Sequence, residues 1–139
     1  MQKAGLEVRT RFDSSAPSIT GNPGKLQQVF LNLFINARDA MTSGGVLEVM
    51  TSHEDEDSVQ IDVIDTGHGI DPEHINRIYD PFFTTKGSHK GTGLGLSVTY
   101  GIIQEHGGAI KVFSRPGGGT RFRLEFPSVT AKLRKPATV

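Results

Sequence analysis

Four short stretches of this sequence carry residues whose types and spacing suit chemistry. Asn32, Asn36 and Asp39 stand four and three apart in a segment of helical period, which puts two amides and a carboxylate on one stripe of a helix. Asparagine is a poor helix former because its side chain competes for backbone hydrogen bonds, so two in mid-helix ask for a reason. One reason is an oxygen ligand for Mg²⁺, a hard ion that takes few protein oxygens and keeps waters and substrate phosphates for the rest. Solvent-facing or capping amides are the other.

Asp65-Thr66-Gly67-His68-Gly69-Ile70 follows a β-branched run directly. A carboxylate there ends a buried strand, and Gly67 and Gly69 would let the backbone turn with positive φ and approach a ligand closely. Such a carboxylate can accept a hydrogen bond from an exocyclic amine such as adenine N6, where guanine presents an acceptor instead. An ordinary glycine-rich turn is the plain alternative. Lys86 to Leu96 reads KGSHKGTGLGL, with Gly91, Gly93 and Gly95 ahead of a helical pattern. Free N–H groups and the helix dipole favour phosphate at such a place, and a flexible linker is the competing account. The stretch fits neither common phosphate motif: the dinucleotide fingerprint wants glycine where Leu96 stands, and the Walker pattern ends in G-K-[ST]. Gly117-Gly118-Gly119-Thr120 is, alone, a hairpin turn with a threonine.

Other chemistries are excluded by what is missing. With no cysteine among 139 residues there is no disulfide, thiolate zinc site or cysteine nucleophile. None of the five histidines pairs with another at metal spacing, and H-E-x-x-H is absent. His53 lies in an acidic loop and His68, His74 and His89 in or near turns, so all four are expected at the surface. Fifteen basic residues cancel fifteen acidic ones, so no global field draws in nucleic acid or an anionic membrane. No apolar run is long enough for a membrane span and the first residues lack the core of a signal peptide, which fits a soluble, cytoplasmic setting.

The elements that must position these stretches follow from the periodicity. Residues 6–12 alternate as a half-buried strand. Asn22-Pro23 is an N-cap followed by proline at the first helical position, and apolar residues at three- and four-residue steps carry that helix over about 23–42. Residues 46–51 and 59–65 read as antiparallel strands around an acidic loop. Asp71-Pro72 opens a short helix to about Tyr79. Residues 80–95 have no sustained period and are expected to form a mobile lid. A helix over 96–106 ends at Gly107-Gly108, and strands at 109–114 and 120–126 flank the turn at Arg115–Gly119. Residues 1–127 make one domain and 128–139 a patternless basic tail, expected to be disordered. Hairpins beside helices predict an α+β, two-layer sandwich: a mostly antiparallel mixed sheet covered by helices on one face.

Taken in order, LQQVFLNLFINARDAM (26–41), DTGHGI (65–70), DPFFTTK (80–86), GTGLGL (91–96) and GGGT (117–120) resemble the N box, first glycine box, F box, second glycine box and final glycine motif of the GHKL ATPases and kinases. The F box and SVTYGIIQEHGGAIKV resemble sensor histidine kinases, above all the nitrogen-regulation and PAS-linked hybrid types, more closely than gyrase-like or chaperone-like members. The resemblance implies the GHKL ATP-binding fold, with ATP and Mg²⁺ as cofactors and Asn36 as the magnesium ligand. It implies Asn32, Asn36 and Lys86 as the catalytic set. It further assigns Asp65 to adenine, Gly67, Gly69 and Ile70 to the adenine pocket, Asp39 and Lys86 to the phosphate side, and Thr120 to a water-mediated contact. Gly91, Thr92, Gly93, Leu94 and Gly95 would belong to the lid over the phosphates. Asn32 stands where gyrase-like members carry the glutamate that activates water, and an amide cannot take that proton.

The same resemblance implies an acceptor elsewhere. None of the five histidines lies in the family's phosphoacceptor motif. The chain is therefore expected to be the catalytic domain of a longer kinase, monomeric by itself. It would donate the γ-phosphate to a histidine on the dimerisation domain of the same parent, with a response regulator served indirectly. The alternatives are a GHKL-type ATPase with conformational output and a nucleotide-binding regulatory module without catalysis.

Overall fold

In the computed structural model, which describes residues 5–81, 83 and 95–134, the chain runs β1 (Leu6–Arg11), α1 (Pro23–Ala40), β2 (Gly45–Ser52), β3 (Ser58–Asp65), α2 (Pro72–Ile75), α3 (Gly95–Glu105), β4 (Ala109–Ser114), β5 (Thr120–Pro127) and α4 (Val129–Arg134). The strands form one sheet in the order β1-β2-β3-β5-β4, with β1 parallel to β2 and every other pair antiparallel. This is the α+β mixed sheet expected.

Local chemistry starts α1 where it starts: the Asn22 side chain accepts the Lys25 N–H at 3.0 Å and Pro23 takes the first helical position, where its missing N–H costs nothing. Val29, Leu33 and Ala37, at successive turns, are buried. Val29 and Leu33 pack with Ile102 and Ile103 of α3 on the sheet face that carries Val63, Phe122, Leu124 and Phe126. Strict alternation along β5 puts Thr120, Phe122, Leu124 and Phe126 inward and leaves Arg121, Arg123 and Glu125 on the opposite face. There Arg123 Nε donates to Asp62 Oδ1 at 2.9 Å.

Four expectations need correction. β1 is exposed along its whole length, with Val8 at 62%, rather than half-buried, and Phe12 just beyond it is 65% exposed. It is the outer strand beside β2, and the core helices sit toward β3 and β4. The helix opened by Asp71-Pro72 closes at Ile75, because the chain then turns to bury Ile78. The tail is ordered through Arg134: buried Ser128 donates its N–H to the Asp57 carbonyl, gives its hydroxyl to the Glu56 carbonyl and caps α4 through the Ala131 N–H at 3.0 Å. His53 is also no surface residue. Its side chain is 17% exposed and lies 2.6 Å from Asp13 and 3.4 Å from Glu56.

Candidate functional site

The site grows from the end of β3. Asp65 pairs in register with Thr120 of β5 on one side and Leu47 of β2 on the other, so the carboxylate and the threonine hydroxyl share the core face at one end of the sheet. Both are buried. Asp65 Oδ1 accepts the Gly67 N–H at 2.8 Å. Burial pushes the Asp65 carboxyl above its ordinary value, opposed by the Gly67 N–H, the charge of His68 and the Thr120 backbone.

The loop after Asp65 is clasped from both sides. His68 N–H donates to the carbonyl of Ala40, the last residue of α1, and Gly117 N–H donates to the His68 carbonyl at 2.7 Å. Gly67 does not adopt the positive φ expected of it. Contact is what requires glycine there, since a Cβ would lie 2.5 Å from the Ala40 carbonyl oxygen. Gly69 has φ 77°, and a Cβ on it would meet the Arg115 backbone. Ile70 packs against the core. Ser114, missed from sequence, is the hub of this clasp: its hydroxyl takes the Ile70 N–H at 2.8 Å, reaches the Gly119 carbonyl at 2.7 Å and touches the Thr120 hydroxyl at 2.8 Å. The signal was available, because a hairpin at 115–119 sets Ser114 opposite Thr120.

Beside this clasp lies a cleft of about 620 Å³. Its lining joins Asp65, Ser114 and Thr120 to Ile64, Phe113 and Arg121 of the sheet face turned away from α1, and Asn36, Gly67, Gly69 and Ile70 are not part of it.

The α1 residues are placed as the stripe required, with different partners. Asn32 Nδ2 donates to the Gly95 carbonyl at 3.1 Å and to Thr99 Oγ1 at 3.3 Å, while its Oδ1 accepts from Gln28. Asn36 is half-buried one turn further on. Asp39 accepts from Arg38 Nη2 at 3.3 Å. Lys86, Gly91, Thr92, Gly93 and Leu94, and most of the lid expected over 80–95, lie outside the described residues. At the entry to that segment Tyr79 stacks on Tyr100 with centroids 5.2 Å apart, and burial pushes its phenol up to about 12. Among the described residues its hydroxyl has no hydrogen-bond partner, and no helix is long and apolar enough to cross a membrane.

Comparison with known proteins gives one consistent result. Residues 21–130 match the family model described as histidine kinase-, DNA gyrase B-, and HSP90-like ATPase. The chain is 46% identical over 123 residues to sporulation kinase A of Bacillus subtilis, covering 88% of this chain and 20% of that protein. It is 42% identical over 129 residues to the sensor histidine kinase ZraS of Escherichia coli K12, covering 91% and 27%. The chain thus spans between a fifth and three tenths of the length of these relatives. Among solved structures, the catalytic domain of histidine kinase ThkA superposes with a TM-score of 0.76 at 32% identity, covering 88% of this chain and 80% of that one. Full-length ShkA in complex with AMPPNP superposes with a TM-score of 0.78 at 33% identity, covering 89% and 26%.

Proposed function

The chain belongs to the histidine kinase-, DNA gyrase B- and HSP90-like ATPase family, and from that premise we propose that it binds Mg-ATP and presents the γ-phosphate to a histidine on the dimerisation domain of the same parent kinase, in the cytoplasm. Buried Asp65 carries this reading. Its carboxylate ends β3 beside a cleft, held by the Gly67 N–H, and suits an exocyclic amine donor where guanine would set acceptor against acceptor. Gly67, Gly69, Ile70 and Thr120 would shape the base pocket around it.

Asn36 suits Mg²⁺: a half-buried neutral amide oxygen on a rigid helix supplies one hard ligand and leaves the rest to phosphates and water. Bound there, the ion would neutralise phosphate charge. Lys86, Asp39 and the GTGLG run (91–95) would bear on the phosphates. Phosphoryl transfer asks the protein for positioning and charge neutralisation more than for covalent chemistry, so a docked histidine completes the site. Asn32, with its N–H groups turned to α3, offers no base for water, which supports transfer over hydrolysis. A response regulator would take the phosphoryl group from the histidine.

Calorimetric titration with ATP and GTP, each with and without Mg²⁺, tests this on the wild type and on Asp65→Asn. ATP but not GTP should bind, with Mg²⁺ strengthening it, and the substitution should weaken ATP by roughly 30- to 100-fold. Equal affinity for ATP and GTP would sink the adenine–carboxylate contact.

A further inference from the structure

Asn32 lies on the same stripe of α1 as Asn36, yet its polar atoms are spent within the protein. Gln28 Nε2 donates to its Oδ1 at 2.8 Å, which fixes the amide so that Nδ2 faces α3. From there it donates to the Gly95 carbonyl at 3.1 Å and to the hydroxyl of fully buried Thr99 at 3.3 Å. Two points one turn apart on α3 are therefore held by one side chain of α1. The core packing of Val29 and Leu33 against Ile102 and Ile103 holds the two helices together, while at the first turn of α3 the atoms nearest a Cβ built on Gly95 belong to Asn32 itself, at 3.9 Å.

We propose that Asn32 is a positioning residue: its amide sets the distance and rotation between Asn36 on α1 and the first turn of α3, and so holds the two halves of the phosphate-binding region in register. This rests on the ATP reading above, and it moves Asn32 out of the catalytic set the sequence suggested. Adenine, held at the far joint by Asp65, should not sense the link.

The experiment is a double-variant cycle on this chain: wild type, Asn32→Ala, Thr99→Val and the pair, each titrated calorimetrically with Mg-ATP and with adenosine. Asn32→Ala should weaken Mg-ATP about tenfold and leave adenosine within about twofold, as expected for loss of a pair of hydrogen bonds outside the base pocket. The pair should bind Mg-ATP no more weakly than Asn32→Ala, because both substitutions cut one link. Additive losses would mean that Asn32 touches the phosphates itself and would overturn the proposal. So would an equal loss of adenosine, which marks a general structural effect. Thr99→Val keeps its volume and reads the same joint should Asn32→Ala not fold; it is expected to weaken Mg-ATP about threefold with adenosine unchanged. A wild type that binds neither nucleotide overturns the ATP reading, and this inference with it.

Discussion

Two glycine-bearing segments grip α1, and they are built in opposite ways. At its C-terminal end, Gly67 lies against the Ala40 backbone with no room for a methyl group, and His68 N–H donates to the Ala40 carbonyl. Nearer its middle, Gly95 has room for a methyl group, which would meet the Asn32 side chain at an ordinary 3.9 Å, and it is tied on by that same side chain. The first joint is main chain against main chain. It cannot move without displacing β3, whose other edge is held by β5. The second is a set of side-chain hydrogen bonds that can break and reform. Under the proposed function, a rigid joint on the base side beside an adjustable one on the phosphate side would suit a transfer in which the nucleotide stays and its γ-phosphoryl group leaves.

The largest expected effect attacks the rigid joint. Gly67→Ala should lower stability by roughly 2–4 kcal/mol, because the Ala40 backbone must shift. Gly95→Ala should change it by less than about 1 kcal/mol, alanine being the better helix residue. Urea unfolding of the two variants compares them, and similar midpoints would end the distinction. Next, Asp65→Asn should weaken ATP by roughly 30- to 100-fold while its fold survives, since an amide oxygen can still accept the Gly67 N–H. Direct titration reads this.

A third joint sharpens the contrast at the N-terminus of α1, where His106 Nε2 accepts the Asn22 N–H at 3.0 Å and Nδ1 hydrogen-bonds the Ile102 carbonyl at 2.7 Å. His106→Ala should cost about 1–2 kcal/mol in unfolding experiments, with ATP affinity little changed. The smallest effect is one of pH. Burial raises the Asp65 carboxyl in the folded chain, so the stabilisation from its protonation is complete below the unfolded value and is lost as pH rises through the raised folded value. Asp65→Asn escapes that loss and should melt slightly above wild type at pH 7, by less than about 1 kcal/mol, with the gap closing toward acid. A gap between wild type and Asp65→Asn that stays constant on acidification would contradict the burial effect, since Glu7 and Asp13, whose values are lowered, contribute alike to both chains.

Much of this was legible in the residues. Asn22-Pro23 fixed the start of α1, the glycine-rich turn at 115–119 announced the hairpin of β4 and β5, and ordered motifs fixed the family. Errors fell where context overrides pattern. Residues 6–12 alternate like a half-buried strand, yet the core helices lie toward β3 and β4 and leave this outer strand exposed. Ser128 looked like part of a tail until its hydroxyl found the Glu56 carbonyl, 72 positions earlier in the chain.

By itself the sequence determined which side chains share a helix stripe or a strand face, because those follow from fixed periods of 3.6 and 2 residues. Only the tertiary structure decided what each would touch. It assigned Gly67 to contact rather than to backbone torsion, made Ser114 the hub of the clasp, and turned Asn32 toward α3. Those outcomes depend on which elements meet and at what distance, and that is settled when the core closes and every buried polar group must find its partner.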